Sequence, residues 1–375
     1  MFQLKTRGTP HNISHPIVAI IVSDDDQLSD KICFAPEIND NILLTVSPVK
    51  NSANKNFSDE KSIFDIPSLH HIEVGDIVLI NPSGSVYTLF KFKSDQNSLF
   101  ITNRCNSNCL MCSQPPKNVD DLDTYFGINT RLIKLITPAT KELGITGGEP
   151  TLLGKRLITL LEIITEHLPQ TQIHVLTNGR SFAWKNIPEA ISKVNNSKVV
   201  FGIPLYSDYY KVHDYVVQAK DAFSQTVLGF HNMARYNQRL ELRVVLHKQI
   251  YKRLPSLAKF IFKNLPFVEH IAFMGLEYTG YTSKNAELLW IEPSEYANEL
   301  EEAVVYLNAV GMNVSIYNLQ LCILKPSLWK FARKSISDWK RDYLGECNKC
   351  NLMNKCGGVF ATSKKHSNEI KAFVT

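Results

Sequence analysis

Cys105, Cys109 and Cys112 stand in the run Asn103–Arg104–Cys105–Asn106–Ser107–Asn108–Cys109–Leu110–Met111–Cys112, a C-x3-C-x2-C loop directly after the apolar stretch Leu99–Phe100–Ile101. Three thiolates in one tight loop suit three irons of a [4Fe–4S] cube, which is ordinarily held by four cysteines. A loop that offers three leaves one iron open to a small molecule binding through nitrogen and oxygen. The competing readings are a zinc site and buried thiols. Zinc asks for four ligands, or three and a catalytic water, and thiol-only zinc loops come as C-x2-C pairs. Placement after a first strand favours the cluster, and with it radical chemistry.

Gly147–Gly148–Glu149–Pro150 is a second candidate. Alone it could be an ordinary strand-to-helix turn with proline at the helix start. Its glycines also allow a ligand close to the backbone. Its carbonyls and the Glu149 carboxylate could accept from the ammonium of an amino-acid-like ligand on the open iron. A second cysteine group, Cys322 and then Cys347-x2-Cys350-x5-Cys356 followed by Gly357–Gly358, has enough thiols to complete a metal site. An iron–sulfur cluster is favoured there over structural zinc. Cys33, the remaining cysteine, reads as a buried small hydrophobe.

These motifs need a frame. From residue 98 strands alternate with helices, at 98–103, 142–146, 172–177, 198–206, 240–247 and 268–274, with one more strand allowed at 312–318. Helices fit at 184–193, 223–236, 254–264 and 293–310, and one with Leu157, Leu160, Leu161, Ile164 and Leu168 on one face ends at Pro169. Such alternation implies a parallel sheet with right-handed crossovers, here an incomplete six-unit barrel. Parallel barrels carry chemistry at the C-terminal ends of their strands. Cys105–Cys112, Gly147–Pro150 and Thr177–Asn178–Gly179 all fall at such ends. Residues 1–97 read as a small β-rich domain, with runs at Ile17–Val22 and 42–46, a polar loop at 51–61 and a hairpin turning at Asn81–Pro82–Ser83–Gly84. The organisation is therefore a β-rich domain (1–97), an α/β partial barrel (98–320) and a cysteine-rich extension (321–375).

Bulk properties exclude some classes. The chain has 375 residues with no 18-residue apolar run and no signal-peptide layout, so no membrane span is expected. Clustered cysteines without a disulfide pattern point to a reducing cytoplasm. The net charge of +5 is uneven: residues 321–375 hold 11 Lys+Arg against 4 Asp+Glu, or +7, leaving −2 for the rest. A basic extension suits an acidic peptide, a nucleic acid or another protein, and a solvated helix face accounts for it equally well. No basic patch with interleaved aromatics stands out, so nucleic acid is not an expected partner.

The cysteine loop and the Gly-Gly-Glu-Pro turn, on six βα units, resemble the radical S-adenosylmethionine (SAM) superfamily over residues 98–320. The stretch from Cys105 to Pro116, His213–Asp214–Tyr215 with Ala222–Phe223–Ser224–Gln225–Thr226–Val227, and the closing Cys356–Gly357–Gly358 are similar to the His-Xaa-Ser system maturases of that superfamily. The resemblance implies a [4Fe–4S] cluster on Cys105, Cys109 and Cys112. It implies SAM on the open iron, its methionine amino group at Gly147, Gly148 and Glu149. Asn178 and Ser207 match strand ends that contact ribose or carboxylate, and Arg243 is a further carboxylate candidate that could instead pair with Glu241 or Glu277. It implies reductive cleavage of SAM to a 5′-deoxyadenosyl radical, hydrogen abstraction from a short ribosomally made peptide, an auxiliary cluster at Cys322, Cys347, Cys350 and Cys356, an electron donor such as flavodoxin or ferredoxin, and a partner maturase. Alternative readings are a radical SAM enzyme acting on RNA or a cofactor precursor, and a non-catalytic metal-binding scaffold. Tyr206, Tyr209, Tyr210 and Tyr215 cluster near the fourth strand, where packing is the simpler role.

Overall fold

The computed structural model describes residues 4–22, 33–35, 45–47, 61–67 and 71–374. The backbone alone of Cys33 is described, so its expected burial, like residues 42–44 of the 42–46 run and 51–60 of the 51–61 loop, falls outside what the structure describes.

The N-terminal strands are β1 (Lys5–Arg7), β2 (Thr9–His11), β3 (Ile17–Val22), β4 (Cys33–Ala35), β5 (Thr45–Ser47), β6 (Ser62–Phe64), β7 (Ile77–Ile80) and β8 (Ser85–Phe90). Five form a sheet in the order β1-β8-β7-β3-β4, and β2, β6 and β5 form a second. The period of two decides what each face does. Ile17, Ala19 and Ile21 on β3 enter a small core with Ile63, Val78 and Ile80. Val18 between them joins the main core with Ile77 and Phe90. The sheet thus has an inner core of its own and a second apolar face against the rest of the chain.

The main body is one sheet of seven strands: β9 (Asn97–Phe100), β10 (Glu142–Thr146), β11 (Gln172–Leu176), β12 (Val199–Pro204), β13 (Arg239–Val245), β14 (His270–Met274) and β15 (Val314–Tyr317). They pair in chain order and every pair is parallel. The seventh strand, an option in the sequence, is present. The edge strands β9 and β15 do not pair with each other, so the barrel stays open.

Helices cover the outside. The expected face of α2 (Lys155–His167) is buried through Leu157, Leu160, Leu161 and Ile164. Helices α3 (Asn186–Ser192), α4 (Tyr210–Val217), α5 (Ala222–Arg235) and α6 (Leu254–Asn264) follow the later strands, and Ala297–Ala309 closes the series. The helix α1 (Leu122–Leu135) is absent from the sequence expectation, although Ile128, Leu132 and Ile133 give it a buried stripe. Gly127 in its middle and three aspartates at its start obscure that stripe.

The concave face is polar. On β13, Leu240, Leu242 and Val244 are buried among the helices, while Glu241 and Arg243 alternate to the other side. Glu241 accepts from Arg243 Nη1 at 2.6 Å and lies 2.8 Å from His270 Nδ1 on β14 and 3.4 Å from His174 Nε2 on β11. His174 reaches it across β12 only because Gly202 stands between: a Cβ there would lie 3.1 Å from both His174 Nε2 and Arg243 Cδ. Among the described residues no helix is long and apolar enough to cross a membrane.

Candidate active site

The cysteine loop joins β9 to α1 and is pinned on three sides. At its base Asp121, just before α1, accepts from Thr102 Oγ1 at 2.5 Å, Asn103 N at 2.9 Å and Asn103 Nδ2 at 2.8 Å. Burial works against that carboxylate, yet the bonds from Thr102 and Asn103 prevail and hold its pKa low. On the second side the end of α4 accepts from the loop, Asn108 N to Val217 O at 3.1 Å and Leu110 N to Val216 O at 2.9 Å. On the third, Tyr281 N donates to Cys112 O at 2.8 Å, Thr282 Oγ1 to Met111 O at 3.3 Å and Asn285 Nδ2 to Leu110 O at 2.8 Å.

The three thiols share a surrounding that disfavours bare thiolates. Burial pushes Cys105 up to about 11, with the Glu149 carboxylate and then Cys112 adding to it. Cys109 is raised further, by burial and then by Cys105 and Cys112, and Cys112 is raised by burial. Three thiols in one loop raise one another, and a cationic centre between them would offset that mutual repulsion, so the donor set fits an iron–sulfur cluster.

The glycine turn is stitched to this loop. Gly148 N donates to Thr102 O at 2.7 Å and Glu149 N to Arg104 O at 2.8 Å. The approach leaves no space for a side chain: a Cβ on Gly148 would stand 1.9 Å from Arg104 O, and Gly147 has φ +139 and would meet Thr102 O at 2.8 Å. Glu149 is buried, 1% exposed, and the chain itself supplies donors to its carboxylate. Oε1 accepts from Thr151 N at 3.0 Å, Thr151 Oγ1 at 2.7 Å and Thr177 Oγ1 at 2.5 Å, and Oε2 from Asn178 N at 2.7 Å. It ties the ends of β10 and β11 together. No turn or loop N–H among the described residues donates to the carbonyls of Gly147 or Gly148.

Asn178 comes to the loop as the sequence implies. Its Nδ2 lies 2.5 Å from Asn106 Oδ1, 3.5 Å from Ser107 Oγ and 4.0 Å from Cys105 Sγ. Arg180 was not foreseen. Its guanidinium bonds Ser107 Oγ at 3.1 Å, the Asn106 carbonyl, and Gln225 Oε1 at 2.7 Å. Thr226 Oγ1 then donates to Asn178 O at 3.2 Å. The string 222–227 thus acts by holding Arg180 and Asn178. The other string does likewise: Asp214 Oδ1 accepts from Phe223 N at 2.7 Å, and His213 Nδ1 from Tyr206 N at 3.2 Å.

Ser207 and Arg243 sit apart from the loop contacts. Ser207 is fully buried and accepts from Tyr209 N at 3.1 Å, closing the turn after β12. Arg243 takes Glu241, not Glu277, which accepts from Thr362 Oγ1 at 2.6 Å. Of the four tyrosines only Tyr206 is buried, and its hydroxyl is raised by burial and then by Cys109 and Cys112; Tyr209, Tyr210 and Tyr215 are exposed.

The second cysteine group converges. Cys322, Cys347, Cys350 and Cys356 all line one small cavity, with Tyr343 and Met353. The short pair Arg341–Asp342 and Val359–Phe360 frames it. Tyr343 Oη donates to Cys356 O at 3.1 Å, and Gln320 Nε2 to Gly358 O at 2.6 Å. Cys322 is raised by burial and then by Cys356 and Cys347, as a shared site requires. Four thiols on one cavity suit a fully ligated cluster or a structural zinc. A second cavity opens at the ends of β13, β14 and β15 beside it, lined by Leu246, Leu276, Trp290 and Leu319.

Residues 99–261 match the family model described as the Radical SAM superfamily. A putative glycyl-radical enzyme activating enzyme of Methanocaldococcus jannaschii is 31% identical over 99 residues, 24% of this chain and 25% of that protein. The chain therefore spans a quarter of that relative's length. An uncharacterized protein of the same organism is 25% identical over 228 residues, covering 59% of this chain and 73% of its own. Among solved structures, native anSMEcpe with bound AdoMet superposes with a TM-score of 0.50 at 14% identity, over 72% of this chain and 92% of that one. It shares the fold. The family model thus matches the stretch from the first barrel strand to the helix after the fifth, and the solved structure shows a shared fold.

Proposed function

We propose that this radical SAM chain modifies a short, ribosomally made peptide of the His-Xaa-Ser kind. The observation that carries the reading is the stitching of three strand ends. The loop bearing Cys105, Cys109 and Cys112, the Gly147–Gly148 turn and Asn178 are joined by direct hydrogen bonds at the C-terminal mouth of a parallel barrel. Cys105, Cys109 and Cys112 would hold a [4Fe–4S] cluster, and the carbonyls of Gly147 and Gly148 would receive the amino group of SAM. When bound, these groups supply one-electron reductive cleavage and hydrogen abstraction. The chain's own part is placement. Glu149 locks β10 to β11, Arg180 and Asn178 brace the cysteine loop, and Asp121 closes its base.

Peptide as substrate is supported by the extension, where Cys322, Cys347, Cys350 and Cys356 ring a cavity beside the mouth of the barrel, suited to a second cluster. Its +7 charge favours an acidic peptide. In this reading residues 1–97 and 321–375 grip the peptide or a partner maturase, and a flavodoxin or ferredoxin in the cytoplasm delivers the electron. The test is co-expression with short His-Xaa-Ser peptides and mass spectrometry of those peptides. A covalent mass change that disappears with Cys105→Ala is expected. Unchanged peptides, in cells where the enzyme still cleaves SAM, contradict the peptide assignment.

A further inference from the structure

Residues 362–373 are tied down at every few positions. Thr362 Oγ1 donates to Glu277 Oε1 at 2.6 Å, and Ser363 Oγ accepts from Tyr278 N at 3.0 Å. Lys365 lies over the Trp290 ring at 4.5 Å. Ser367 Oγ donates to Glu292 Oε2 at 2.6 Å, while Glu369 accepts from Ser294 N at 3.0 Å and from the Ser294 hydroxyl. Beyond Glu369 the chain crosses the four-cysteine cavity, contributing Ile370, Lys371 and Phe373 to its lining. Phe373 N points to Cys350 Sγ at 3.4 Å, Asn351 N donates to Phe373 O at 2.9 Å, and the Phe373 ring meets Trp329 edge-on at 5.5 Å. The main chain of Lys371 lies against Cys322. Ile370, with Gln320 and Val359, belongs to the walls of both cavities.

We propose that residues 362–373 are a latch: they close the four-cysteine cavity, cover Cys322 and Cys350, and set Ile370 as the partition from the cavity at the strand ends. The carboxylate–hydroxyl pairs at Glu292 and Glu369 fasten the latch, and Phe373 is its tip. Main-chain N–H groups next to two of the four sulfurs give those thiolates donors that water would otherwise supply.

The latch does not depend on what fills the cavity, so it is tested on metal-free, reduced protein. Alkylation by iodoacetamide is followed at each cysteine by peptide mass spectrometry, in the full chain, in a chain ending at His366, and in a Glu369→Ala/Phe373→Ala double variant. Exposure governs thiol reactivity, so Cys322 and Cys350 should react about tenfold faster in the shortened chain and about threefold faster in the double variant. Cys109, in the other site, serves as the reference and should be unchanged. If shortening the chain accelerates Cys109 as well, the fold has opened and the double variant decides. Equal rates at Cys322 and Cys350 in the double variant and the full chain overturn the latch. Iron and sulfide content, measured separately after reconstitution, reports on the cluster assignment.

Discussion

Replacing Glu149 tests whether its carboxylate belongs to the fold or to a ligand. Four donors meet it: the N–H and hydroxyl of Thr151, the Thr177 hydroxyl and the Asn178 N–H. The hydroxyls can turn elsewhere, and Thr151 Oγ1 already lies 2.8 Å from Ser181 Oγ. The two main-chain N–H groups cannot. Glu149→Ala leaves both unpaired in a buried site at about 1–3 kcal/mol each, so the loss of stability is about 2–6 kcal/mol. Glu149→Gln keeps one oxygen for the three donors on Oε1 but aims its amide at the Asn178 N–H. The cost is then one unsatisfied contact, about 1–3 kcal/mol. Urea unfolding of the metal-free protein measures both, with the slope unchanged and the order wild type, Gln, Ala. An alanine variant within about 0.5 kcal/mol of wild type, the range of an ordinary surface change, would refute the structural role.

Gly148→Ala puts a methyl group onto the Arg104 carbonyl, 1.9 Å away, so the turn and the cysteine loop must part. Overpacking costs about 1–3 kcal/mol or more, and cluster content after reconstitution should fall with it. Glu241→Ala strands Arg243 on the concave face and should cost about 3–5 kcal/mol, as when one partner of a buried pair is removed; thermal unfolding checks this. Acid should weaken the fold through His213 and His247, whose pKa values burial lowers to about 3, with the Arg180 cation adding to His213. The unfolded chain takes up these protons near pH 6.5 and the folded chain does not, so stability drops as pH falls from about 6.5 toward 3. Between pH 7 and 5 the loss is about 2 kcal/mol per histidine, and a His213→Gln variant should show roughly half the total slope in urea titrations at the two pH values.

Chemistry that rests on local spacing was legible in the chain. The cysteine loop, the glycine turn and Thr177–Gly179 each declare themselves within a dozen residues, and the alternation of strands and helices puts them at one end of the barrel. Interactions made by the backbone over long range were not. Val216 and Val217 hold the cysteine loop through carbonyls, which any residue type offers, and Tyr281 does so through its N–H. Arg180 sits two residues beyond Asn178, yet an arginine in a turn has no signature until Asn106 and Ser107 stand opposite. Glu149 shows the converse limit: its type reads as an acceptor, but only the fold determines that Thr151, Thr177 and Asn178 supply donors to it. The match of Leu157, Leu160, Leu161 and Ile164 to the buried face of α2 marks where helical periodicity suffices, and Gly127 in α1 where one residue hides it.

The central claim is that the stitched strand ends form a SAM-cleaving site. Anaerobic reconstitution with iron and sulfide, followed by SAM and a strong reductant, measures it through the yield of 5′-deoxyadenosine. The account predicts its formation by the intact chain and its loss in Cys105→Ala, with Cys322→Ala retaining it. A blank from a reconstituted, folded chain, or equal yields from the intact chain and Cys105→Ala, would contradict it.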